Sequence, residues 1–426
     1  MKLVPPKLII IGGGFAGLNL ARCLNNSSSE ILLVDKVNHH QFQPLFYQVA
    51  TAGLEPSNIS FPLRGIFQHS KNVRIRLAEV RKIIPSENKI ITSDGDYNYD
   101  YLVLATGATT NFFGNKNLGQ FALAMKSTSE AIEIRQRILQ NLENALTASP
   151  EEMEGLLNIV IVGGGPTGVE MAGALAEMKK NVLWKEYPEI DFSKMHITLV
   201  EGSPKTLGAM SAEASAHSKK YLEELGVEVM TGTTVKDYDG KNASLSNGKT
   251  IRTNNLIWAA GIRGNVIEGL KPELIQRGNR IKVDRFNRIE GYENIFALGD
   301  LAYMVTPKYP NAHPQVANVA INQAKLLCKN LKRSAKVVGE DTNDRSWEEF
   351  EYHDKGSLAT VGKHKAVVDL PFIKFQGFFA WFVWMGLHLV LLMGMKNRIF
   401  VFINWVISYF SNNSTLRLIF RPNRNS

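Results

Sequence analysis

Cysteine is scarce in this sequence, because only Cys23 and Cys328 occur among 426 residues and neither belongs to a CxxC or CxxxxC pair. So few thiols predict a reducing compartment without a disulfide framework, and they exclude a zinc site built from cysteines. Cys23 falls within the first predicted helix, where we expect it to pack against the sheet. The apolar run before Gly12 is too short for a signal peptide and has no small-residue cleavage site, so we expect a strand there.

Acidic residues are absent beyond Asp369, although lysines and arginines continue into a strongly apolar and aromatic tail. The whole chain has a formal net charge of +9. A basic, aromatic segment is typical of contact with an anionic membrane surface, and this one is too apolar to favour nucleic acid. We therefore predict a membrane lipid surface as the partner of the tail, and no nucleic acid partner.

Charged residues are also absent from Phe375–Met395, a run of 21 residues. Such a run is just long enough to span a bilayer, which takes about 20 residues. A helix lying in the interface is the alternative, with its tryptophans at headgroup depth and neighbouring cations near lipid phosphates. The residues expected in those places are Trp381, Trp384, Trp405, Lys396, Arg398 and Arg417. A buried or dimer-forming helix is the third possibility, and membrane contact ranks first.

The bulk composition is that of a globular protein, with 44% hydrophobic and 21% charged residues, and the length predicts two or three domains. At the N-terminus, the apolar run Lys7–Ile11 leads into GGGFAGL, then a helical stretch, then a second apolar run that ends at Asp35. This order is typical of the opening βαβ unit of a dinucleotide-binding fold. In such a unit the first glycine permits a tight turn, the second lets a pyrophosphate approach the backbone, and the third lets the helix pack closely. The acid accepts hydrogen bonds from the ribose hydroxyls. The candidate residues of this first site are Gly12, Gly14, Phe15, Ala16, Gly17, Asp35 and Lys36.

The same pattern returns about 150 residues later, which indicates an internal duplication. The strand Asn158–Val162 precedes GGGPTGVEMAG, and a later strand, His196–Val200, ends at Glu201. An acid in this position favours NADH, because it would repel the additional phosphate of NADPH, although Lys205 is close enough to weaken the preference. The candidate residues of the second site are Gly163, Gly165, Gly168, Glu201, Ala260 and Gly261.

Three short apolar segments are each followed by glycine. This is typical of strands that lead into cofactor-binding loops at the carboxyl edge of a sheet. They are Tyr101–Ala105, Asn255–Ala260 and Asn294–Leu298, and a helix is expected over Ser127–Ala148. Asp300 is either a contact to the ribityl chain of a flavin or a cap of the next segment. The further candidate cofactor contacts are Ala105, Thr106, Gly107, Gly299 and Asp300.

Glu170 and a later amide-rich helix are candidates for the chemistry. Glu170 is expected in the first turn of the second glycine-loop helix, where it is either a charge favoured by the helix dipole or a proton-handling group. The segment His313–Leu331 is expected to form a helix with Pro314 at its beginning, whose positive end would stabilise a reduced flavin. Helical spacing predicts that Gln315, Asn318 and Asn322 share a face, whereas Gln323 does not. Val316 is a further candidate cofactor contact.

The pattern resembles the type II NADH:quinone oxidoreductases, single-subunit respiratory enzymes of the two-dinucleotide-binding flavoprotein superfamily. The specific matches are DKVNHHQFQPLFYQVATAGLEP over Asp35–Pro56 and GFFAWFVWMGLHLVLLMGMKNR from Gly377. WAAGI at Trp258 and FALGD at Phe296 continue the likeness. The resemblance implies an α/β fold with two Rossmann-like domains, one for FAD and one for NADH, and C-terminal helices that lie on the membrane.

The resemblance further implies that NADH reduces FAD and that reduced FAD passes two electrons to a membrane quinone, without proton pumping. It implies catalytic roles for Glu170, Gln48, Gln315 and Asn318, and a peripheral location on the cytoplasmic face of a bacterial cell membrane. One departure concerns the flavin-facing segment, where the family commonly shows AQxAxQ and this chain reads ANVAIN from Ala317. Asn318 and Asn322 keep the amide but are one methylene shorter.

The resemblance also implies a division into domains. The expected order is an FAD-binding domain in two parts, 1–112 and 276–370, around a connecting segment, 113–155, and an NADH-binding domain, 156–275. The remaining residues, 371–426, are the membrane-anchoring helices. A homodimer is compatible with this order, which leaves the oligomeric state and the choice of quinone open.

Other functions compete with this one. Flavin disulfide reductases and sulfide:quinone oxidoreductases need paired redox cysteines, and Cys23 and Cys328 stand in the wrong context. A soluble NADH-dependent flavin reductase or NADH oxidase is the main alternative, and the apolar tail argues against it. A redox sensor or scaffold that only binds the cofactors is the alternative outside enzymes.

Overall fold

The structure is a computed structural model that describes residues 5–334, 347–411 and 416–419. The chain divides into two compact units, each built from three separate stretches of sequence. Unit 1 consists of Met1–Gln41, Phe61–Thr109 and Ile262–His353, and unit 2 consists of Phe42–Ser60, Thr110–Gly261 and Asp354–Ser426.

The α-helices of the described residues vary from single turns to 18 residues. They are α1 Phe15–Cys23, α2 Phe46–Ala50, α3 Leu63–Ile66, α4 Lys116–Phe121, α5 Thr128–Ala145, α6 Pro150–Leu157, α7 Pro166–Met178, α8 Trp184–Glu186, α9 Ala212–Glu224, α10 Ala317–Ser334, α11 Phe378–Leu391 and α12 Met395–Ser411.

The β-strands of the described residues are short, with at most six residues each. They are β1 Lys7–Ile11, β2 Glu30–Asp35, β3 His39–Gln41, β4 Ser60–Pro62, β5 Val73–Leu77, β6 Val80–Ile84, β7 Lys89–Thr92, β8 Gly95–Asn98, β9 Tyr101–Leu104, β10 Ala108–Thr110, β11 Leu123–Ala124, β12 Ile159–Val162, β13 Ile197–Glu201, β14 Val227–Thr231, β15 Val235–Tyr238, β16 Asn242–Leu245, β17 Thr250–Arg252, β18 Asn255–Trp258, β19 Ile262–Gly264, β20 Ile275–Gln276, β21 Arg280–Val283, β22 Ile295–Ala297, β23 Ala302–Met304, β24 Ser357–Thr360, β25 Ala366–Asp369 and β26 Lys374–Gly377.

Each unit contains a five-stranded parallel sheet with its glycine-loop strand in the centre. The order in unit 1 is β22-β9-β1-β2-β5, and the order in unit 2 is β11-β18-β12-β13-β14. The central strands are almost entirely apolar and buried, as expected for parallel strands covered on both faces. β9, β1, β2 and β5 therefore correspond in position to β18, β12, β13 and β14. This correspondence confirms the internal duplication and the predicted α/β fold class.

The predicted strands and the helix α5 are confirmed to within a few residues at each end. The helix predicted from His313 is displaced, because α10 begins at Ala317, so Pro314 precedes it instead of opening it. At the expected start of the helix, the carbonyl oxygen of His313 instead accepts a hydrogen bond from Arg280 Nη2 at 3.0 Å. Gln315 therefore lies outside the helix, and the prediction that it shares a helical face with Asn318 is wrong.

The prediction that the chain has no disulfide is also wrong, because Cys23 and Cys328 are joined to each other. Cys23 is the last residue of α1, and Cys328 is buried in α10, which packs along α1 in unit 1. Sequence separation carries no information about this contact, since it depends on how the two helices cover the sheet.

The uncharged run Phe375–Met395 does not form one helix. It begins in β26, continues as the 14-residue α11, and turns before α12 starts at Met395. The turn is held by Arg398, whose Nε donates to Leu392 O at 2.8 Å and whose Nη2 donates to Val390 O at 2.7 Å. Over the part of the chain that the structure describes, no helix is long and apolar enough to cross a membrane.

Candidate active site

The first glycine loop, in unit 1, has the geometry that a bound pyrophosphate requires. Gly12 has a φ of +102°, and a Cβ there would lie 2.4 Å from the carbonyl oxygen of Ala105. A Cβ at Gly17 would lie 1.9 Å from the carbonyl oxygen of Gly12, so helix and strand pack too closely for any side chain. A Cβ at Gly14 would meet no atom within 4 Å, and α1 begins at the next residue. The loop thus leaves open space at a helix N-terminus, which fits a dinucleotide phosphate.

Asp35 lies at the end of β2, beside this loop. Its Oδ2 accepts from Gly13 N at 2.5 Å and its Oδ1 accepts from Val37 N at 2.9 Å. Burial raises the pKa of Asp35, and the two N–H groups oppose that rise. A cavity of about 400 Å³ extends from Gly12 and Asp35 past Lys36. The fixed carboxylate therefore faces a space in which ribose hydroxyls of FAD can bind.

The predicted flavin residues Gly299 and Asp300 are held firmly in a 3₁₀ turn of unit 1. Gln323 Oε1 accepts from Gly299 N at 2.7 Å, and Gln315 Nε2 donates to Asp300 O at 2.9 Å. A Cβ at Gly299 would lie 3.1 Å from the Cβ of Ala320. The amide of Gln315 therefore positions the turn through its Nε2, and Gln323 is buried and holds the N–H of Gly299.

The remaining predicted residues of unit 1 lie near the same loops. Thr106 Oγ1 donates to Asn265 O at 2.6 Å, and Gly107 O accepts from Asn265 N at 3.0 Å. Ala16 is buried at the start of α1, and its Cβ would be 3.6 Å from a Cβ built at Gly299. Val316 is exposed, and Asn318 is half-buried in the first turn of α10.

His40 is a residue of the first site that sequence analysis missed. It is almost fully buried, and its Nδ1 lies 2.9 Å from the carbonyl oxygen of Gly13. Its ring contacts that of Phe15 edge to face, with centroids 5.2 Å apart. Burial lowers the pKa of His40 to about 4, so the ring is neutral at neutral pH. The only sequence signal was its place in the family-like segment after Asp35.

The second glycine loop, in unit 2, has the same backbone geometry and the same close contacts as the first. Gly163 has a φ of +111°, a Cβ at Gly168 would lie 1.8 Å from Gly163 O, and one at Gly165 would meet nothing within 4 Å. Glu201 Oε2 accepts from Gly164 N at 2.5 Å, and its Oε1 accepts from Ser203 N at 2.6 Å. The acid after the second strand is thus fixed beside the loop, as Asp35 is in unit 1. This geometry fits a second dinucleotide.

Ala260 and Gly261 follow β18 at the carboxyl edge of the same sheet. Both are half-buried, and Gly261 O accepts from Asn111 N at 3.0 Å. A Cβ at Gly261 would lie 2.9 Å from the ring of Phe113, so a larger residue there would require the exposed Phe113 side chain to move.

Glu170 lies in the second turn of α7, and 8% of it is exposed. Burial raises the pKa of Glu170 to about 8. The N–H of Thr360, which donates to the carboxyl at 3.4 Å, and the Trp384 side chain both oppose this rise. Trp384 Nε1 is buried and has no hydrogen-bond acceptor among the described residues. Burial and the raised pKa favour the protonated form of this carboxyl near neutral pH, and Glu170 stays a candidate for handling a proton.

Gln48 lies at the wall of a cavity in unit 2. Its Oε1 accepts from Trp405 Nε1 at 2.7 Å, and its Nε2 donates to the hydroxyl of Tyr47 at 2.9 Å. The cavity has a volume of about 140 Å³ and is lined by side chains of α2, α7, α11 and α12. Its aromatic and polar wall residues include Tyr47, Gln48, Glu177, Lys363, Trp381, Trp384, Trp405 and Tyr409.

The tryptophans of the tail pack within the protein. Trp381 and Trp384 are at least nine-tenths buried, and Trp405 bonds Gln48. The Trp384 ring stacks on His388 with centroids 4.0 Å apart, and burial lowers the pKa of His388 to about 4. Arg417 pairs with Glu186, with 2.5 Å between Nη2 and Oε1, so two of the three expected lipid-facing cations, Arg398 and Arg417, bond within the chain.

The outer faces of α11 and α12 carry a different set of residues, which are apolar and exposed. We call them the apolar tail face. They are Phe379, Phe382, Val383, Leu387, Val390, Ile399, Phe400, Phe402, Ile403, Val406, Ile407 and Phe410. So many exposed large apolar side chains on two helices are unusual on a soluble monomer and mark an interaction site.

Residues 6–324 match the family model described as pyridine nucleotide-disulphide oxidoreductase, and residues 354–412 match the NDH2 C-terminal domain. The type II NADH:quinone oxidoreductase Ndh of Mycobacterium tuberculosis is 35% identical over 96% of this chain and 89% of its own length. The chain belongs to the type II NADH:quinone oxidoreductases. The Staphylococcus aureus type II NADH:quinone oxidoreductase is 30% identical, over 85% of this chain and 89% of its own.

Solved structures of other proteins share the fold of this chain. NDH2 from Plasmodium falciparum in complex with NADH has a TM-score of 0.88 and 22% identity, covering 98% of this chain and 100% of that one. The sulfide:quinone oxidoreductase of Aquifex aeolicus has a TM-score of 0.70 and 20% identity, covering 96% of each chain. The family predicted from the sequence is confirmed by the two family models and by the relatives at 30% identity or more.

Proposed function

We propose that this protein oxidises NADH and reduces a membrane quinone by two electrons, with FAD held in unit 1 and NADH held in unit 2. The observation that carries this proposal is the pair of matching glycine loops, each with a half-buried acid fixed by two backbone N–H groups. The relatives from Mycobacterium tuberculosis and Staphylococcus aureus, which bear this activity in their names, support it. The sequence shows no bundle of membrane-spanning helices with internal acids, so we propose no proton pumping.

FAD, when bound, supplies the two-electron redox chemistry between NADH and the quinone. The residues of this chain bind and orient the reactants. The loop that holds the FAD pyrophosphate is shaped by Gly12, Gly14 and Gly17. Asp35 accepts hydrogen bonds from the ribose hydroxyls of FAD. The turn at Asp300, held by Gln315 and Gln323, is the proposed contact for the flavin side chain.

NADH is the proposed nucleotide of unit 2, since Glu201 stands where a 2′-phosphate would have to bind. The carboxylate is already fixed by Gly164 N and Ser203 N, and it repels a phosphate dianion. Gly163, Gly165 and Gly168 give the loop its shape, and Ala260 and Gly261 are further proposed contacts. Glu170, Gln315 and Asn318 are proposed to act on NADH or quinone.

The quinone is proposed to bind in the cavity of unit 2. The cavity is lined by aromatic rings that suit a planar ring, and by Gln48, whose amide is oriented by Trp405 and Tyr47. Helices α11 and α12 form its wall and carry the apolar tail face on their other side. A lipid-soluble substrate therefore has an apolar route along these helices.

The apolar tail face is proposed to contact the lipid surface of the cell membrane from the cytoplasmic side, where NADH is available. The family-specific C-terminal domain supports membrane association, because it coincides with these helices. A homodimer through the same face is the competing arrangement. Mass measurement of the detergent-free and detergent-bound protein decides between them, since a dimer face would stay covered without lipid.

A matched pair of cavity variants tests the proposed function. Ser408 lines the cavity, whereas its neighbour Ile407 points outward and is 52% exposed. We expect Ser408→Trp to raise the KM for quinone at least tenfold while NADH still bleaches the flavin at the native rate. With a water-soluble short-chain quinone, which does not depend on the apolar tail face, Ile407→Trp should leave both unchanged. Equal quinone kinetics in the two variants would place the acceptor elsewhere, and a folded protein without flavin would refute the assignment of unit 1.

A further inference from the structure

Two carboxyl groups on α7 accept hydrogen bonds from backbone N–H groups of one short segment of the chain. Thr360 N donates to Glu170 Oε1 at 3.4 Å, and Lys363 N donates to Glu177 Oε1. Glu177 follows Glu170 by seven residues, which is about two helical turns, so both carboxyls lie on the same side of the helix. The segment 360–363 thus runs beside the helix and meets both acids.

The close approach of this segment depends on two glycines. A Cβ at Gly173 would lie 2.7 Å from the backbone nitrogen of Gly362, and a Cβ at Gly362 would lie 2.7 Å from the carboxyl of Glu177. Gly362 also has a φ of +69°, a left-handed conformation that favours glycine. The backbone is therefore built to hold a specific N–H group, that of Lys363, against the Glu177 carboxyl.

The two acids differ in what they face. Glu177 lines the cavity of unit 2 together with Tyr47 and Lys363, whereas Glu170 is buried and is not among the lining residues. The pKa of Tyr47 is raised by its burial and further by both carboxyls, so the phenol lies within electrostatic reach of each. No ammonium or guanidinium group forms a salt bridge with Glu177 among the described residues, and Lys363 Nζ instead donates to Ser408 O at 2.7 Å.

We propose that Glu177 is the acid that protonates the quinone bound in this cavity, with Lys363 N–H positioning its carboxyl. This rests on the proposed function of the cavity. The overall reaction converts NADH, one proton and a quinone into NAD⁺ and a quinol. The hydride of NADH accounts for two electrons and one proton. Glu177 supplies the other proton: its O–H bond breaks, an O–H bond forms on the quinone oxygen, and solvent water then returns a proton to the carboxylate.

The electrostatic surroundings suit this role. Burial raises the pKa of Glu177, which keeps a larger share of the carboxyl protonated before the reaction. The N–H of Lys363 and the charges of Lys363, Lys180 and Lys365 oppose this rise and stabilise the carboxylate that forms. A general acid with a pKa closer to the working pH both holds and releases its proton.

The test compares Glu177→Gln with Glu189→Gln, the same change at an exposed carboxylate outside the cavity. Glutamine keeps the size of the side chain and an oxygen for Lys363 N–H. We expect reoxidation of the flavin by a short-chain quinone to slow by tenfold or more in Glu177→Gln, since general acids contribute about 10²–10⁴. The native rate should fall as pH rises through the pKa of Glu177, and that fall should vanish in Glu177→Gln. Glu189→Gln should match the native enzyme.

A second variant and a spectroscopic readout keep the test decisive. Glu177→Ala should be equally slow, and acetate should restore part of the rate by occupying the vacated space. Infrared difference spectra on binding of the quinone should show a carboxyl signal that Glu177→Gln abolishes. A native rate and pH profile in either folded variant would overturn the proposal for Glu177. Failure of Ser408→Trp to alter quinone kinetics would instead refute the cavity itself, so the two failures are distinguishable.

Discussion

Cys23 and Cys328 are joined by a disulfide although 305 residues separate them in the sequence, and their Cα atoms lie 6.2 Å apart. The bond ties α1, which begins at the first glycine loop, to α10, which follows Gln315. It restricts the unfolded chain across most of unit 1. We expect the double change Cys23→Ser and Cys328→Ser to lower the free energy of unfolding by about 2–4 kcal/mol, with FAD still bound.

Thiol alkylation checks this bond directly. The denatured native protein should take up no alkylating reagent until a reductant is added, and should then take up two groups. Matched melting curves with and without reductant should differ for the native protein and coincide for the double variant. Two reactive thiols in the unreduced protein would contradict the disulfide.

Glu201 should set the preference for NADH. We expect Glu201→Gln to keep the hydrogen bond from Gly164 N while removing the charge, and so to reduce the ratio of kcat/KM for NADH over NADPH by about tenfold, or 1.4 kcal/mol. Asp35→Asn is the matched change at the FAD loop and should weaken FAD binding without altering the nucleotide preference. Equal use of the two nucleotides by the native enzyme would show that Glu201 does not discriminate.

Glu170 should make stability depend on pH. Its folded pKa of about 8 lies above its ordinary value, so the unfolded chain releases this proton first as pH rises. The native protein should therefore lose stability relative to Glu170→Gln between pH 5 and about 8, by at most about 1.4 kcal/mol per pH unit. Urea unfolding of both proteins across this range measures the difference. A constant difference would mean that the carboxyl is ionised in the folded state.

Much of the nucleotide-binding architecture could be predicted from the sequence because it depends on local chain geometry. The glycine spacing in GGGFAGL and the acid at the end of the next strand are read from neighbouring residues, and the structure places Gly12 and Asp35 as expected. The duplication was visible for the same reason. These features require backbone conformations that few other sequences allow.

The cavity could not be predicted, because its walls come from segments far apart in the chain. Tyr47, Glu177 and Trp405 are distant in the sequence and meet only in the folded unit 2. The tryptophans were expected at a membrane surface, since sequence shows their number but not the direction in which each points. Glu177 carries no sequence signal beyond its spacing from Glu170, and that spacing acquires meaning only beside Gly362 and Lys363.

The apolar tail face gives the last prediction. Removing the whole tail is a poor test, because Trp384 is buried and the tail helices form the wall of the cavity. Single residues separate docking from folding: Phe379 is 77% exposed and Phe402 is 53% exposed. We expect Phe379→Glu with Phe402→Glu to weaken binding to anionic vesicles at least tenfold, since each buried phenylalanine contributes about 1.5–3 kcal/mol.

In the same double variant, the activities with short-chain and long-chain quinones should respond differently. Activity with a water-soluble short-chain quinone should stay native, whereas activity with a long-chain quinone in vesicles should fall with the binding, because that substrate reaches the cavity only from the lipid. Phe121→Glu, a change at an exposed phenylalanine of α4 that lies outside the apolar tail face, is the control and should bind vesicles normally. Native vesicle binding by the double variant would show that this face does not dock on lipid, and a change in molecular mass without loss of vesicle binding would assign it to a second copy of the chain.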